Sequence, residues 1–344
     1  MGMKLGLVAR ADNRGLGLQC REFFLNMAPD RVLVIDAKHQ SPYPQNLDWY
    51  PDGIVTPWHS DGTFDEPIMR KFLQGLDVVY IAETPGDYLL YDIAREYRVK
   101  TVCHVNPEFY RYVVSPKLPR PDVIWLPTSW LANKVPHDRI LHFPVNRAHL
   151  PFRLRTEANT FLHVVGHRAA RDRNGTHQIF KAFRFVRSPT TLLIRSQQPS
   201  PSLTTARHVK VRHIIENVQD HAELYSEGDV LLLPRRYGGN CLIMNEALSC
   251  GLPVLMTDCS PQNTLLPPEM LIRSRTGVGL KAQSGRIPTV DIDPNYLAGM
   301  VDRLIADPAE VERLSKTADA IAATISWEAL KPVYIQALEE VAAR

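Results

Sequence analysis

Apolar residues in the first 130 positions concentrate in short, nearly continuous blocks, at 4–9, 32–35, 78–82, 101–105 and 123–126. Blocks of this length and continuity read as strands buried on both faces, which is how parallel sheets appear in sequence. Between them the apolar spacing turns helical, at 20–27 and at 87–97. A polar, Gly-bearing turn at 12–17 separates the first strand from the first helix. Thr84-Pro85-Gly86-Asp87 offers an N-cap, a proline at the first helical position and an acid at the third, so it predicts a capped start for the helix at 87–97.

The periodicity lapses at 144–156, where Pro-Val-Asn-Arg-Ala-His-Leu-Pro-Phe-Arg interrupts it, and a second series then begins. Strands are expected at 161–165, 191–194, 209–214, 230–233 and 253–257, with helices at 178–186, 220–226 and 240–249. Three helices close the chain, at 295–306, 308–323 and 327–341, each behind a Pro, Asp or Ser start signal. Strands alternating with helices at this pitch define an α/β chain with two doubly wound parallel sheets. The expected domains are 1–148 and 149–325, with a terminal helical segment at 326–344.

Length supports the division, because 344 residues exceed what one core holds. With 44% hydrophobic and 22% charged residues, the chain reads as folded and soluble. Its longest apolar runs, near 230–233 and 252–256, fall far short of the ~20 residues that span a bilayer. No basic-then-apolar leader is seen, so neither a membrane nor a secreted protein is expected. Cys20, Cys103, Cys241, Cys250 and Cys259 are odd in number, widely spaced and without a CxxC, which indicates neither disulfides nor zinc and suits the cytoplasm. A net charge of +3 neither requires nor forbids a nucleic-acid partner.

Three segments could carry chemistry. Gly15, Leu16 and Gly17 follow the first strand, either as a tight turn or as a loop that lets an acceptor or a phosphate approach the backbone. A dinucleotide fingerprint would need glycine where Cys20 stands. The second segment, Gly166-His167-Arg168-Ala169-Ala170-Arg171-Asp172-Arg173-Asn174-Gly175, places three arginines at a strand-to-helix turn. Such a turn suits a diphosphate, whose charge most needs neutralising as it departs; the plain alternative is a solvated basic loop. The third runs from Pro234 to Val254. There Gly238 and Gly239 open the backbone, a helix is expected from Asn240, and Glu246 lies on that helix, where its carboxylate could accept both hydroxyls of a ribose.

Together these segments resemble the retaining GT-B glycosyltransferases, particularly the family-four nucleotide-sugar transferases. The third resembles that family's Glu-x7-Glu signature: Glu246 falls on the second glutamate, and Ala247, Gly251, Pro253 and Val254 follow in register. The first glutamate, which in the family contacts hydroxyls of the donor sugar, is replaced by Gly238. The second segment resembles the Gly-Arg to Lys-Gly stretch that holds the diphosphate. His167 and Asn174 occupy its exact positions, with Arg168 and Arg173 one residue away. Pro127-Thr128-Ser129, Pro144-Val145-Asn146, Leu224-Tyr225, Leu233-Pro234 and Ser326-Trp327-Glu328 match further family features.

The resemblance implies a GT-B fold in which two Rossmann-like domains face each other across a cleft, with residues 326–344 returning to the N-terminal one. The second domain would bind a nucleotide-diphosphate sugar, most naturally a UDP-sugar, through Glu246, Gly238, Gly239, Asn240, Cys241, Leu242, Gly166 and His167. Arg168 and Arg173 would stabilise the leaving group, so neither metal nor cofactor is expected. His104 is either a satisfied structural histidine or the family's N-domain histidine near the sugar. With no well-placed nucleophile, retention suggests a front-face substitution in which the departing diphosphate takes the acceptor's proton.

Acceptor readings include a hydroxylated pyrimidine in DNA, a glycan, a lipid-linked hydroxyl and a small molecule. DNA is suggested by Arg10, Arg14, Arg21, Arg111, Lys117 and Arg120 interleaved with Phe109, Tyr110 and Tyr112. Arg111, Arg120 and Tyr110 are its candidate contacts. Two other readings share the fold: a sugar-nucleotide 2-epimerase, with Glu83 and Glu108 as acids, and a degenerate binding module, suggested by Gly238.

Overall fold

The structure is a computed structural model that describes residues 2–344, apart from 40, 42, 114, 167–171, 200–203, 219 and 283–284. The chain divides into two units: Met1–Phe143 with Glu328–Arg344, and Pro144–Trp327.

In unit 1 the apolar blocks become β1 (Leu5–Arg10), β2 (Arg31–Asp36), β3 (Ile54–Pro57), β4 (Val78–Ala82), β5 (Lys100–His104), β6 (Val123–Leu126) and β7 (Arg139–Ile140). They form one parallel sheet in the order β3-β2-β1-β4-β5-β6-β7. Its helices are α1 (Gly15–Met27), α2 (Glu66–Leu73), α3 (Leu89–Glu96) and the short α4 (Tyr110–Val113). One face of the sheet buries Val8, Val79, Ile81 and Cys103 with Phe72, Leu90 and Tyr91. The other is aromatic, and there Phe23 of α1 stacks on Tyr80 of β4 with centroids 4.0 Å apart.

Unit 2 contains β8 (Thr160–Gly166), β9 (Thr190–Ser196), β10 (Val209–Ile215), β11 (Val230–Leu233), β12 (Val254–Thr257) and β13 (Leu271–Ile272), all parallel, in the order β10-β9-β8-β11-β12-β13. Two small antiparallel pairs follow, β14 (Ser274–Thr276) with β17 (Val290–Ile292), and β15 (Leu280–Ala282) with β16 (Gly285–Ile287). Helices α5 (Thr176–Ala182), α6 (Glu223–Ser226), α7 (Leu242–Ser249), α8 (Pro294–Ala306) and α9 (Pro308–Thr324) complete it. Both unit sheets reverse their winding beside their first strand, and in such sheets ligands bind at the carboxyl ends of the strands next to the reversal.

Helix α10 (Trp327–Ala342) supplies Tyr334 to unit 1. Its ring is fully buried against Phe23, Tyr80, His104 and Trp125, and its hydroxyl donates to the carbonyl of His142 at 2.9 Å.

Several expected elements shift, each for a physical reason. Helix α1 begins at Gly15, so Gly15, Leu16 and Gly17 form its first turn and not a loop. Gly17 is needed because a Cβ there would overlap the carbonyl oxygen of Asp12. Thr84 does not cap α3: Gly86 has φ +84°, and Asp87 instead accepts the N–H of Leu89 and the N–H of Phe64, each at 2.9 Å. Helix α7 starts at Leu242, two residues after Asn240. Strands β3 and β7 and helix α2 lie where no element was expected. By contrast, α8 and α9 begin at their Asp-Pro signals, with Asp293 accepting from the N–H of Asn295 and Asp307 from that of Glu310.

Candidate functional site

The carboxyl ends of β8 and β11 meet at the winding reversal of unit 2, and the turns after these strands are locked together. Gly175, at φ +75°, ends the first turn, and a Cβ on it would overlap the carbonyl oxygen of Pro234 at the end of β11. Beneath them the buried ring of His163 donates from Nδ1 to the carbonyl of Leu232 at 2.9 Å and accepts at Nε2 from the hydroxyl of Thr176 at 2.9 Å. That pattern fixes a neutral tautomer, and burial pushes the imidazole down to about 4.

Within the first turn each side chain has a task. The Asp172 carboxylate accepts the N–H of His177 at the start of α5, and burial pushes its carboxyl above its ordinary value, making it a weaker acid. Asn174 donates from Nδ2 to the carbonyl of Val165 at 3.1 Å, which ties the turn back to β8. Arg173 extends from between them, donating from Nε to the carbonyl of Tyr237 at 3.3 Å.

The same Tyr237 carbonyl also accepts from Nε of Arg235 at 3.1 Å. The next residue, Gly238, has φ +115°, and a Cβ there would overlap Nη2 of both Arg173 and Arg235. Arg236 is turned away, with its Nε donating to Asp291 at 2.9 Å. After Gly239 and Asn240 the chain enters α7 at Cys241, which provides no side-chain cap, so the first N–H groups of the helix are left for another acceptor. Open N–H groups, the helix dipole and guanidinium groups at one place favour an anion.

Glu246 sits on the second turn of α7. Its Oε2 accepts a 2.6 Å hydrogen bond from the hydroxyl of Tyr225, a fully buried residue of α6, and its Oε1 lies 3.5 Å from Nδ1 of His221. The backbone of Tyr225 is held in turn by buried Arg155, whose Nη2 donates to its carbonyl at 3.1 Å. The carboxylate is thereby fixed in orientation while its side chain keeps 13% exposure.

Of the residues expected at the donor site, Arg173, Gly238, Gly239, Asn240, Cys241, Leu242 and Glu246 belong to these two turns and α7, and Gly166 ends β8. His167 and Arg168 lie outside the described residues. Sequence reasoning passed over Arg235 and left out His221, and it noted Tyr225 without its bond to Glu246. The only sequence signal for Arg235 was a basic residue directly after a strand-ending proline.

His104 needs a correction. It does end β5, but its ring turns into the aromatic face, fully buried, 2.8 Å from the Tyr80 hydroxyl and stacked on Phe143 with centroids 4.1 Å apart. Burial pushes it down to about 3. A neutral ring with no exposed atom is a core residue and does not reach a sugar. Elsewhere in unit 1, Arg10 is buried over Trp58, Arg14 is paired with Asp12 and lies over Tyr43, and Arg21 lies over Trp49. Arg111 and Arg120 are exposed, and the side chain of Tyr110 is outside the description. Glu83, at φ +66°, accepts from Nδ2 of Asn106 at 3.1 Å; Glu108 lies in the turn before α4. Among the described residues no group of three or more His, Cys, Asp or Glu side chains could hold a metal ion, and no helix is long and apolar enough to cross a membrane.

Residues 159–307, most of unit 2, match the family described as Glycosyl transferases group 1. Among solved structures, Alr3699/HepE from Anabaena in complex with UDP is 13% identical, with 99% of this chain and 100% of that chain covered and a TM-score of 0.67. The same protein has also been solved with UDP-glucose. Sucrose-phosphate synthase (tll1590) from Thermosynechococcus elongatus is 15% identical, with 99% of each chain covered and a TM-score of 0.68. The pneumococcal O-GlcNAc transferase GtfA, solved with UDP and GlcNAc, is 13% identical over 82% of this chain and 62% of that chain, with a TM-score of 0.54. No curated protein sequence matches. At these identities the structural likeness establishes the fold, which is GT-B. Together with the family match over unit 2 it supports a glycosyltransferase that uses a nucleotide sugar.

Proposed function

We propose that the protein is a retaining, metal-independent glycosyltransferase that moves a sugar from a UDP-sugar to an acceptor hydroxyl bound by unit 1. The observation that carries this reading is the fixed Glu246 carboxylate on the same helix whose open N-terminus follows the Arg173 and Gly238 turns. A carboxylate suits the two ribose hydroxyls, and the helix start with the arginines suits the diphosphate. In the reaction the bond from the anomeric carbon to the phosphate oxygen breaks, the acceptor oxygen bonds to that carbon on the same face, and the acceptor proton passes to the departing phosphate. Arg173, joined by Arg168, stabilises the charge that builds on the leaving group. UDP-sugars incubated with candidate acceptors test this: mass spectrometry reads the transferred sugar, and NMR reads its anomeric configuration. An inverted product removes the retaining mechanism; release of no UDP from any donor removes the transferase reading.

A hydroxylated pyrimidine in DNA is the second acceptor reading, favoured by the guanidinium–aromatic pairs Arg14–Tyr43 and Arg21–Trp49, which offer flat charged surfaces to bases and phosphates. Fluorescence anisotropy with oligonucleotides across ~50–200 mM salt tests it, because phosphate contacts give a steep loss of affinity. Absence of salt-sensitive binding, with transfer to a glycan or small alcohol, leaves the transferase and removes DNA.

A further inference from the structure

Glycine at 238 does more than turn the chain. Nη2 of Arg173 and Nη2 of Arg235 both lie within 2.5 Å of the point where a Cβ would stand, so no more than about 5 Å separates two like charges, a spacing that an anion between them would favour. Each guanidinium is anchored by Nε to one carbonyl, that of Tyr237, which holds the two groups side by side. Any side chain at 238 would close the space they share.

Arg235 is the telling member of the pair. The residue is only 6% exposed, yet among the described residues no carboxylate lies within ion-pair distance of it and its Nη atoms donate to no group. Its neighbour Arg236 has Asp291. A largely buried guanidinium whose Nη edge still reaches solvent is placed to receive a counter-charge from a ligand. The uncapped start of α7, three residues beyond Gly238, points to the same kind of ligand.

We propose that Arg235 is a catalytic residue: with Arg173 it forms a two-guanidinium clamp on the terminal phosphate of the nucleotide diphosphate, and Gly238 exists to let the two meet. The inference rests on the donor reading above and adds to it a group and a target atom. When the bond between anomeric carbon and phosphate oxygen breaks, the electron pair leaves with that oxygen, the acceptor oxygen bonds to the carbon, and the acceptor proton ends on the phosphate. The clamp donates to the oxygens on which this charge collects, so it acts more strongly in the transition state than in the ground state.

Calorimetry with UDP and UMP on the full chain tests the clamp, since only UDP has the terminal phosphate. Arg235→Gln is expected to weaken UDP at least tenfold and UMP less than twofold, and to lower kcat for donor turnover more than it raises KM. Arg235→Lys, which keeps the charge but not the two-pronged edge, should fall between. Gly238→Ala, which forces the guanidinium groups apart, should show the same UDP-selective loss. Should Arg235→Gln fail to fold, Arg235→Lys and Gly238→Ala carry the test. UDP affinity unchanged in these variants, or equal losses for UDP and UMP, overturns the clamp while leaving the donor site in place. A wild-type chain that binds neither nucleotide overturns the donor reading, and the clamp with it.

Discussion

The hydroxyl of Tyr225 donates a 2.6 Å hydrogen bond to Oε2 of Glu246, joining the short helix before β11 to the helix after it. One carboxylate oxygen is thus held by the phenol, and the other lies 3.5 Å from Nδ1 of His221. Tyr225→Phe keeps the buried ring but removes that donor, and hydrogen bonds to charged groups contribute about 1.5–3 kcal/mol. UDP should bind about tenfold more weakly. If Glu246 takes the ribose hydroxyls as proposed, 2′-deoxy-UDP should lose less, and discrimination between the two nucleotides should narrow. Equal losses for both, read by calorimetry, would mean that the phenol only supports packing.

On the proposed donor reading, replacing Glu246 removes the acceptor of both ribose hydroxyls. Glu246→Gln preserves volume and leaves an amide that accepts with one atom only. We expect UDP affinity to fall tenfold or more while the thermal midpoint changes by a few degrees at most. Unchanged affinity in a folded variant takes this residue out of the site.

Gly17→Ala tests the tight entry of α1. Its Cβ would overlap the carbonyl of Asp12, in a segment already pinned where the N–H of Arg14 donates to Asp12 Oδ1 at 3.0 Å. Overpacking of this kind costs about 1–3 kcal/mol. Differential scanning calorimetry should show a lower transition for unit 1 while UDP binding by unit 2 persists. An unshifted transition would show that the helix start moves freely.

Acid should unfold the protein partly through two histidines. Burial holds His104 down to about 3 and His163 to about 4, whereas unfolded imidazoles protonate near 6.5. The unfolded chain therefore binds more protons below pH 6.5. Stability from these groups is fully present above that value and falls with pH by up to about 1.4 kcal/mol per pH unit for each histidine, until the folded rings protonate. Thermal midpoints between pH 7.5 and 4.5 should decline less steeply in His104→Phe and in His163→Gln than in the parent chain. Equal slopes would show that the folded rings take up protons as readily as the unfolded ones.

Both sheets were legible because their central strands are continuous apolar blocks, as in Val230–Leu233, and because α8 and α9 carry Asp-Pro starts whose aspartates cap as expected. Strand β3 was not, since its four residues end in Pro57 and only Thr56 is buried. Helix α1 was mistaken at its start because glycines signal turns, whereas Gly17 answers a steric demand from Asp12, which is adjacent only in space. The helix that bears Glu246 was legible from the Ala247, Gly251 and Pro253 pattern around it. The approach of Arg235 to Arg173 was not, because the two come from different turns, and His104 misled because a strand-end position says nothing about which face a side chain takes.

Unit 1 is assembled from Met1–Phe143 and Glu328–Arg344, and Tyr334 from the second piece packs among the aromatic rings of the first. During synthesis those rings emerge well before their cover does. Every residue of unit 2 precedes Glu328 in the chain, so the order of completion reverses the order of translation: the later-made unit has all its residues first, while the aromatic face of the earlier one waits, uncovered and in need of protection from aggregation, for residues 328–344.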